Sequence, residues 1–258
     1  MLHAPGRAPR ASRLQGLVLV AGILALGFGM SESAAGDDRA DERRAMVAEI
    51  AADARATESH TGRASFDERV MAAMARVPRH RFVPDAWARA AYDNRPLPIG
   101  EDQTISQPYI VALSTDLIDP GPDDVVLEVG TGSGYQAAVL AELVREVWSI
   151  EIIEPLGRQA ARLLDELGYD NVEVRIGDGY RGWPEKGPFD AIIVTAAAPE
   201  VPPPLVEQLK PGAKMVIPVG SRFATQELLL VEKLADGRST RRTVLPVRFV
   251  PLTRDGDG

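Results

Sequence analysis

A chain of 258 residues, 45% of them hydrophobic and 26% charged, can bury one large core and has the make-up of a globular protein. Its formal net charge of −8 argues against a free polyanion as partner, because phosphate backbones are held by clustered Lys and Arg. Cysteine is absent and the only histidines are His3, His60 and His80, which excludes disulfides and thiolate chemistry and argues against a His-built metal site or a Ser-His-Asp triad, so no metal is expected.

Arg7, Arg10 and Arg13 precede an uncharged run, Leu14 to Ser31, followed by small residues at Ser33, Ala34 and Ala35. That is the layout of a secretory signal peptide. A single-span anchor is the second reading, although the run is short and glycine-rich for a crossing. An over-long start, with the protein beginning near Met30 or Met46, is the third. Residues 1–35 are therefore set apart as signal-like or mis-started.

Residues 36–108 read as amino-terminal helices followed by a substrate or active-site segment. Met46, Val47, Ile50 and Ala54 recur at helical spacing, which predicts a helix around 40–56. Ser65-Phe66-Asp67-Glu68 has the capping-box pattern, with Ser65 as cap. Phe66, Val70, Met74 and Val77 share one face of the helix that follows, and Pro78 ends it. From there to about residue 108 the chain reads as irregular. Pro108 suits the first turn of a helix with Ile110, Leu113 and Leu117 inward, and Asp119-Pro120-Gly121-Pro122 stops it.

Residues 109–258 read as the core. Apolar runs at Val125–Val129, Val147–Ile150, Val172–Ile176, Phe189–Thr195 and Met215–Val219 alternate with amphipathic segments near 135–145, 156–167 and 203–209. This alternation predicts an α/β, Rossmann-like fold, a mostly parallel sheet with helices on both faces. Glu227–Leu234 and Thr243–Leu252, joined across Asp236-Gly237, predict an antiparallel hairpin at the sheet edge.

Glu128-Val129-Gly130-Thr131-Gly132-Ser133-Gly134 lies where the first of these strands meets a helix. Glycines there let the chain turn sharply and let a ligand approach the backbone; a tight turn with no ligand is the plain alternative. The dinucleotide fingerprint requires Gly-x-Gly-x-x-Gly, and here Tyr135 stands where its third glycine belongs. Glu128 would repel a pyrophosphate and suits a cation, which favours S-adenosyl-L-methionine over a dinucleotide. Glu151, at the end of the second strand, is placed to accept both ribose hydroxyls. Asp178, in Gly177-Asp178-Gly179, ends the third strand and is either an acceptor for an adenine amino group or an ordinary turn aspartate.

Val77-Pro78-Arg79-His80-Arg81-Phe82-Val83-Pro84, Leu97-Pro98-Ile99-Gly100, Gln103-Thr104-Ile105-Ser106-Gln107-Pro108, the glycine loop, Gly177-Asp178-Gly179, Gln226 and Val247 to Leu252 together resemble protein-L-isoaspartate O-methyltransferases over about residues 66–253. The resemblance implies methyl transfer from S-adenosyl-L-methionine to the α-carboxyl of L-isoaspartyl residues in damaged proteins. It implies that Ser106 is the active-site serine. It also implies that Thr104 and Ile105 line the site beside Ser106, and that Gly130, Glu151, Asp178 and Gly179 are cofactor positions; Gly132 and Gly134 join them through the loop. Glu101-Asp102 beside the motif and the signal-like start depart from the family's usual cytosolic form.

Such a reaction asks little of acid–base groups. A carboxylate with a pKa of about 4 is already ionised near neutrality, and hydroxyls such as Thr104 and Ser106 can orient it. Apart from the resemblance, these two read as ordinary loop and capping hydroxyls. His80 reads as structural, and Lys233, Arg238, Arg241 and Arg242 as a solvated hairpin tip. The expectations are a monomer acting in the cytoplasm, without nucleic acid or membrane partner. The competing readings are export, another methyltransferase, or a non-catalytic peptide-binding module on the same fold.

Overall fold

The computed structural model describes residues 39–221 and 224–254, so the signal-like segment lies outside the described residues. The amino-terminal part supplies helix α1 (Ala40–Ala56), the single turn α2 (Glu58–Thr61) and α3 (Glu68–Arg76). Two 3-10 turns, Arg79–Phe82 and Asp85–Ala90, lead to a hairpin of β1 (Leu97–Gly100) and β2 (Gln103–Ile105), and then to α4 (Pro108–Ile118).

The core alternates β3 (Val125–Val129), α5 (Tyr135–Ala141), β4 (Glu146–Glu151), α6 (Glu154–Glu166), β5 (Val172–Ile176), β6 (Phe189–Val194), α7 (Pro203–Glu207) and β7 (Leu209–Val219). It closes with β8 (Gln226–Lys233) and β9 (Ser239–Val247). The sheet order is β5-β4-β3-β6-β7-β8-β9. All pairs from β5 to β7 are parallel, and the last two are antiparallel. The mostly parallel sheet and its edge hairpin are those expected from the alternation.

Parallel strands covered on both faces need apolar residues on both, which is why β3 reads as a continuous run. Val126 packs with Val70, Met74, Leu113 and Leu140 on the face carrying α1 and α3–α6. Leu127 and Val129 face the other way, against Phe189, Leu205 and Met215. No helix among the described residues is long and apolar enough to cross a membrane.

Three local readings need correction. The cap of α3 is Asp67, whose carboxylate accepts from Arg69 N at 2.7 Å, and not Ser65. The reason is tertiary: buried Asp116 accepts from Asp67 N at 2.7 Å and fixes where the helix begins. The stretch read as irregular contains the β1–β2 hairpin, whose turn residues Glu101 and Asp102 take φ of 51° and 54°. Acids rarely adopt that left-handed conformation, so the usual Asn-Gly turn signal is missing. Finally, α4 is buried almost all round, beyond the three positions expected.

Candidate active site

Strand β3 has β4 on one side and β6 on the other, so the chain reverses its direction of sheet growth there. Open α/β sheets bind ligands outside the carboxyl ends of the strands at such a switch point. A solvent-open cleft of about 730 Å³ lies there.

The glycine loop forms its floor. Gly130 N donates to Ile150 O at 2.8 Å, tying the loop to β4. Gly130 has φ of 97°, and a Cβ on it would stand 2.4 Å from Thr195 Oγ1. Thr195 occupies that space because its hydroxyl donates to the Gly130 carbonyl at 2.5 Å. No side chain fits between them. Gly134 serves packing instead. A Cβ there would meet Leu164 at 3.3 Å and Ala160 at 3.4 Å, so its absence sets the close approach of α5 to α6.

Glu128 is wholly buried. Ser149 Oγ donates to one carboxylate oxygen, Thr131 Oγ1 lies 2.5 Å from Ser149 Oγ, and the other oxygen of Glu128 has no partner among the described residues. Burial, reinforced by the nearby Glu151 charge and opposed by the Ser149 hydrogen bond, pushes the Glu128 carboxyl up to about 8. The carboxylate read as a standing anion therefore holds its proton near neutrality until a cation lies beside it. Glu151 accepts from Gly132 N at 2.8 Å with one oxygen and from Ile153 N at 2.9 Å with the other. Its orientation is fixed, and each oxygen keeps a lone pair for a further donor.

Thr104, Ile105 and Ser106 form the opposite wall. The Thr104 and Ser106 side chains make no hydrogen bond to another described residue, whereas the Ser106 carbonyl accepts from Arg79 Nη2 at 2.8 Å. The α4 N-terminus is less open than its sequence implies, since Asn94 Oδ1 already accepts from Tyr109 N at 3.0 Å.

The structure thus brings Thr104, Ile105, Ser106, Glu128, Gly130, Gly132, Glu151 and Gly179 to one cleft. Gly134 and Asp178 are not on its wall. Asp178 is buried, accepts from Tyr180 N at 2.9 Å and stands 3.5 Å from Arg181 Nε, so it organises the turn that presents Gly179. Sequence reasoning missed Ile152 and Ile153, an apolar pair directly after Glu151, and Thr195 and Ala196 beyond β6. It also missed the terminal strap, Val250–Thr253, which lines the cleft. The strap is held by Ala197 N to Val250 O and Leu252 N to Ala197 O, both 2.8 Å. Buried Gln226 clamps its root through Phe249 N to Oε1 at 2.8 Å and Nε2 to Phe249 O at 3.3 Å.

A second, larger cleft of about 1510 Å³ opens beside the first, walled by α1, α4 and the strap root, with His60, Tyr109, Arg248 and Phe249 among its lining. Thr104, Ser106, Thr195 and Val250 line both. His80 lies off both clefts, with Nδ1 2.7 Å from Tyr92 Oη. Lys233 is anchored to the Glu207 and Leu209 carbonyls and does not stand free at the hairpin tip.

Residues 56–257 match the model of the family described as protein-L-isoaspartate(D-aspartate) O-methyltransferase. A protein-L-isoaspartate O-methyltransferase of Cupriavidus necator is 60% identical over 97% of this chain and 96% of its own length. One from Syntrophobacter fumaroxidans is 59% identical over 92% of this chain and 96% of its own. A solved protein-L-isoaspartate O-methyltransferase superposes with a TM-score of 0.71 at 28% identity, over 82% of this chain and 66% of that one. A Plasmodium falciparum structure described as such an enzyme in complex with S-adenosyl-L-homocysteine gives 0.68 at 25% identity, over 82% and 98%.

Proposed function

Because the chain belongs to the protein-L-isoaspartate O-methyltransferase family, we propose that the smaller cleft holds S-adenosyl-L-methionine, that the larger holds the damaged peptide, and that methyl transfer occurs where they meet. The chain is an S-adenosyl-L-methionine-dependent methyltransferase acting on the α-carboxyl of L-isoaspartyl residues in damaged proteins. The observation that carries the site assignment is the shared wall: Ser106 and Thr104 touch both clefts with hydroxyls uncommitted to other described residues.

The lining fits the cofactor. Gly130 leaves the backbone bare, Glu128 offers an unpartnered buried oxygen to a cation, and Glu151 offers two fixed acceptors to vicinal hydroxyls. When bound, the cofactor supplies an activated methyl group on a sulfonium. The chain's own contribution is orientation. Thr104 and Ser106 donate to the substrate carboxylate and aim one oxygen in line with the carbon–sulfur bond, with reacting atoms about 3–3.5 Å apart. Ser106 takes no covalent part, since the nucleophile is the substrate's own carboxylate. Asp178 supports the site through Gly179.

One chain supplies every wall of both clefts, which supports a monomer. The net charge of −8 supports action without nucleic acid. No membrane partner is proposed. A cytoplasmic site of action follows from where the methyl donor is made.

The test compares methyl incorporation into an isoaspartyl peptide and its normal aspartyl twin. Only the first should be methylated, and Ser106→Ala should lower its kcat about 10²-fold with the S-adenosyl-L-homocysteine Kd unchanged. Equal methylation of both peptides would overturn the substrate reading; an unaltered kcat would overturn the role of Ser106.

A further inference from the structure

Arg79 is fully buried, and no carboxylate among the described residues pairs with it. Its Nε donates to Ala91 O and its Nη2 to Ser106 O, both at 2.8 Å. The guanidinium lies over the Tyr135 ring, 4.7 Å from the centroid, and Nη1 has no partner among the described residues. Burial lowers its pKa to about 10, which still leaves it cationic at neutrality. A buried cation without a counter-ion is costly, and apolar side chains of similar size often replace buried charges without loss of stability. Core stability alone therefore does not account for an arginine here.

Its contacts suggest what does. Ser106 and Gln107 bridge the end of β2 and the start of α4, outside any ladder. The Ser106 carbonyl accepts the Arg79 fork, while Tyr135 is the first residue of the helix that leaves the glycine loop and lines the cofactor cleft. One planar group therefore touches the backbone of the substrate loop and the root of the cofactor loop.

We propose that Arg79 is a positioning residue for methyl transfer, holding the Ser106 backbone in register with the glycine loop so that the serine hydroxyl points at the substrate carboxylate. This rests on the role assigned to Ser106. The planar fork spans two carbonyls while stacking on an aromatic ring, and a lysine ammonium, a point charge, cannot do both.

The test uses the full chain with Arg79→Met and Arg79→Lys, alone and combined with Ser106→Ala. Melting temperature, S-adenosyl-L-homocysteine Kd, and kcat and KM for an isoaspartyl peptide at saturating cofactor are measured. Arg79→Met should keep its melting temperature within a few degrees and its Kd within about threefold while kcat falls about 10- to 100-fold. Arg79→Lys should recover part of that loss. Added to Ser106→Ala, Arg79→Met should cost little more. A folded Arg79→Met with wild-type kcat overturns the proposal, as do losses that multiply fully in the double variant. If Arg79→Met does not fold, Arg79→Lys decides: reduced kcat with retained Kd sustains the proposal, and wild-type kcat overturns it. Ser106→Ala alone separates the layers. An unchanged rate there removes the underlying role of Ser106, whereas its loss beside an unchanged Arg79→Met removes only the present proposal.

Discussion

Taking a carboxyl group entirely out of water raises the cost of ionising it, and Glu128 carries that cost at the centre of the cofactor cleft. Its value of about 8 in the folded chain lies above the ordinary 4.5. Between these two values the folded state holds a proton that the unfolded state has released, so stability falls as pH rises. The contribution is complete below pH 4.5 and is lost by the time pH passes about 8. Glu128→Gln removes the titration. Wild-type protein should lose on the order of 3 kcal/mol more than the variant between pH 5 and 8, read as the steeper fall of its denaturation midpoint. Parallel pH profiles would refute this. At this scale the sequence was informative where spacing encodes geometry: Glu128 stands two residues before the first loop glycine, and Glu151 at a strand end. It was silent on Arg79, since a buried arginine among Pro78, His80 and Arg81 has the same local pattern as an exposed one.

Elements were legible where periodicity ran long and opaque where tertiary contacts decide. The helix around 40–56 and all five parallel strands follow from their apolar spacing, and Pro108 opens α4 as its ring geometry favours. The β1–β2 hairpin was hidden because its turn is made by two acids in a left-handed conformation. The strap was hidden because Val250–Thr253 has neither helical nor strand periodicity; Ala197, more than fifty positions earlier, fixes its place. That attachment is testable. Gln226→Leu removes both side-chain hydrogen bonds to Phe249 and leaves a buried N–H and C=O unpaired, each worth about 1–3 kcal/mol. The strap should loosen while the central sheet persists. S-adenosyl-L-homocysteine Kd should rise about tenfold, with peptide KM rising too, because Phe249 and Val250 line the second cleft. Calorimetry giving a wild-type Kd would show that the strap holds without its clamp.

For the whole molecule, the sheet order β5-β4-β3-β6-β7-β8-β9 places the reversal at β3 and β6, and therefore the site at the glycine loop and Thr195. Strand count and type could be read from the chain, but lateral order could not, because every parallel strand here is apolar on both faces. The proposed cytoplasmic location is tested by the intact mass and cell fraction of the native protein. The cytoplasmic fraction should contain it; recovery outside the cytoplasm with a mass beginning after Ala35 would replace that proposal with export.

The strap also has a consequence for synthesis. A chain emerging from the ribosome amino-terminus first can set β3, β4 and the glycine loop in place early. The wall formed by Val250–Thr253 is translated almost last. Nascent chains can therefore acquire most of the sheet while still unable to enclose the methyl donor, and competence arrives in one step, close to termination.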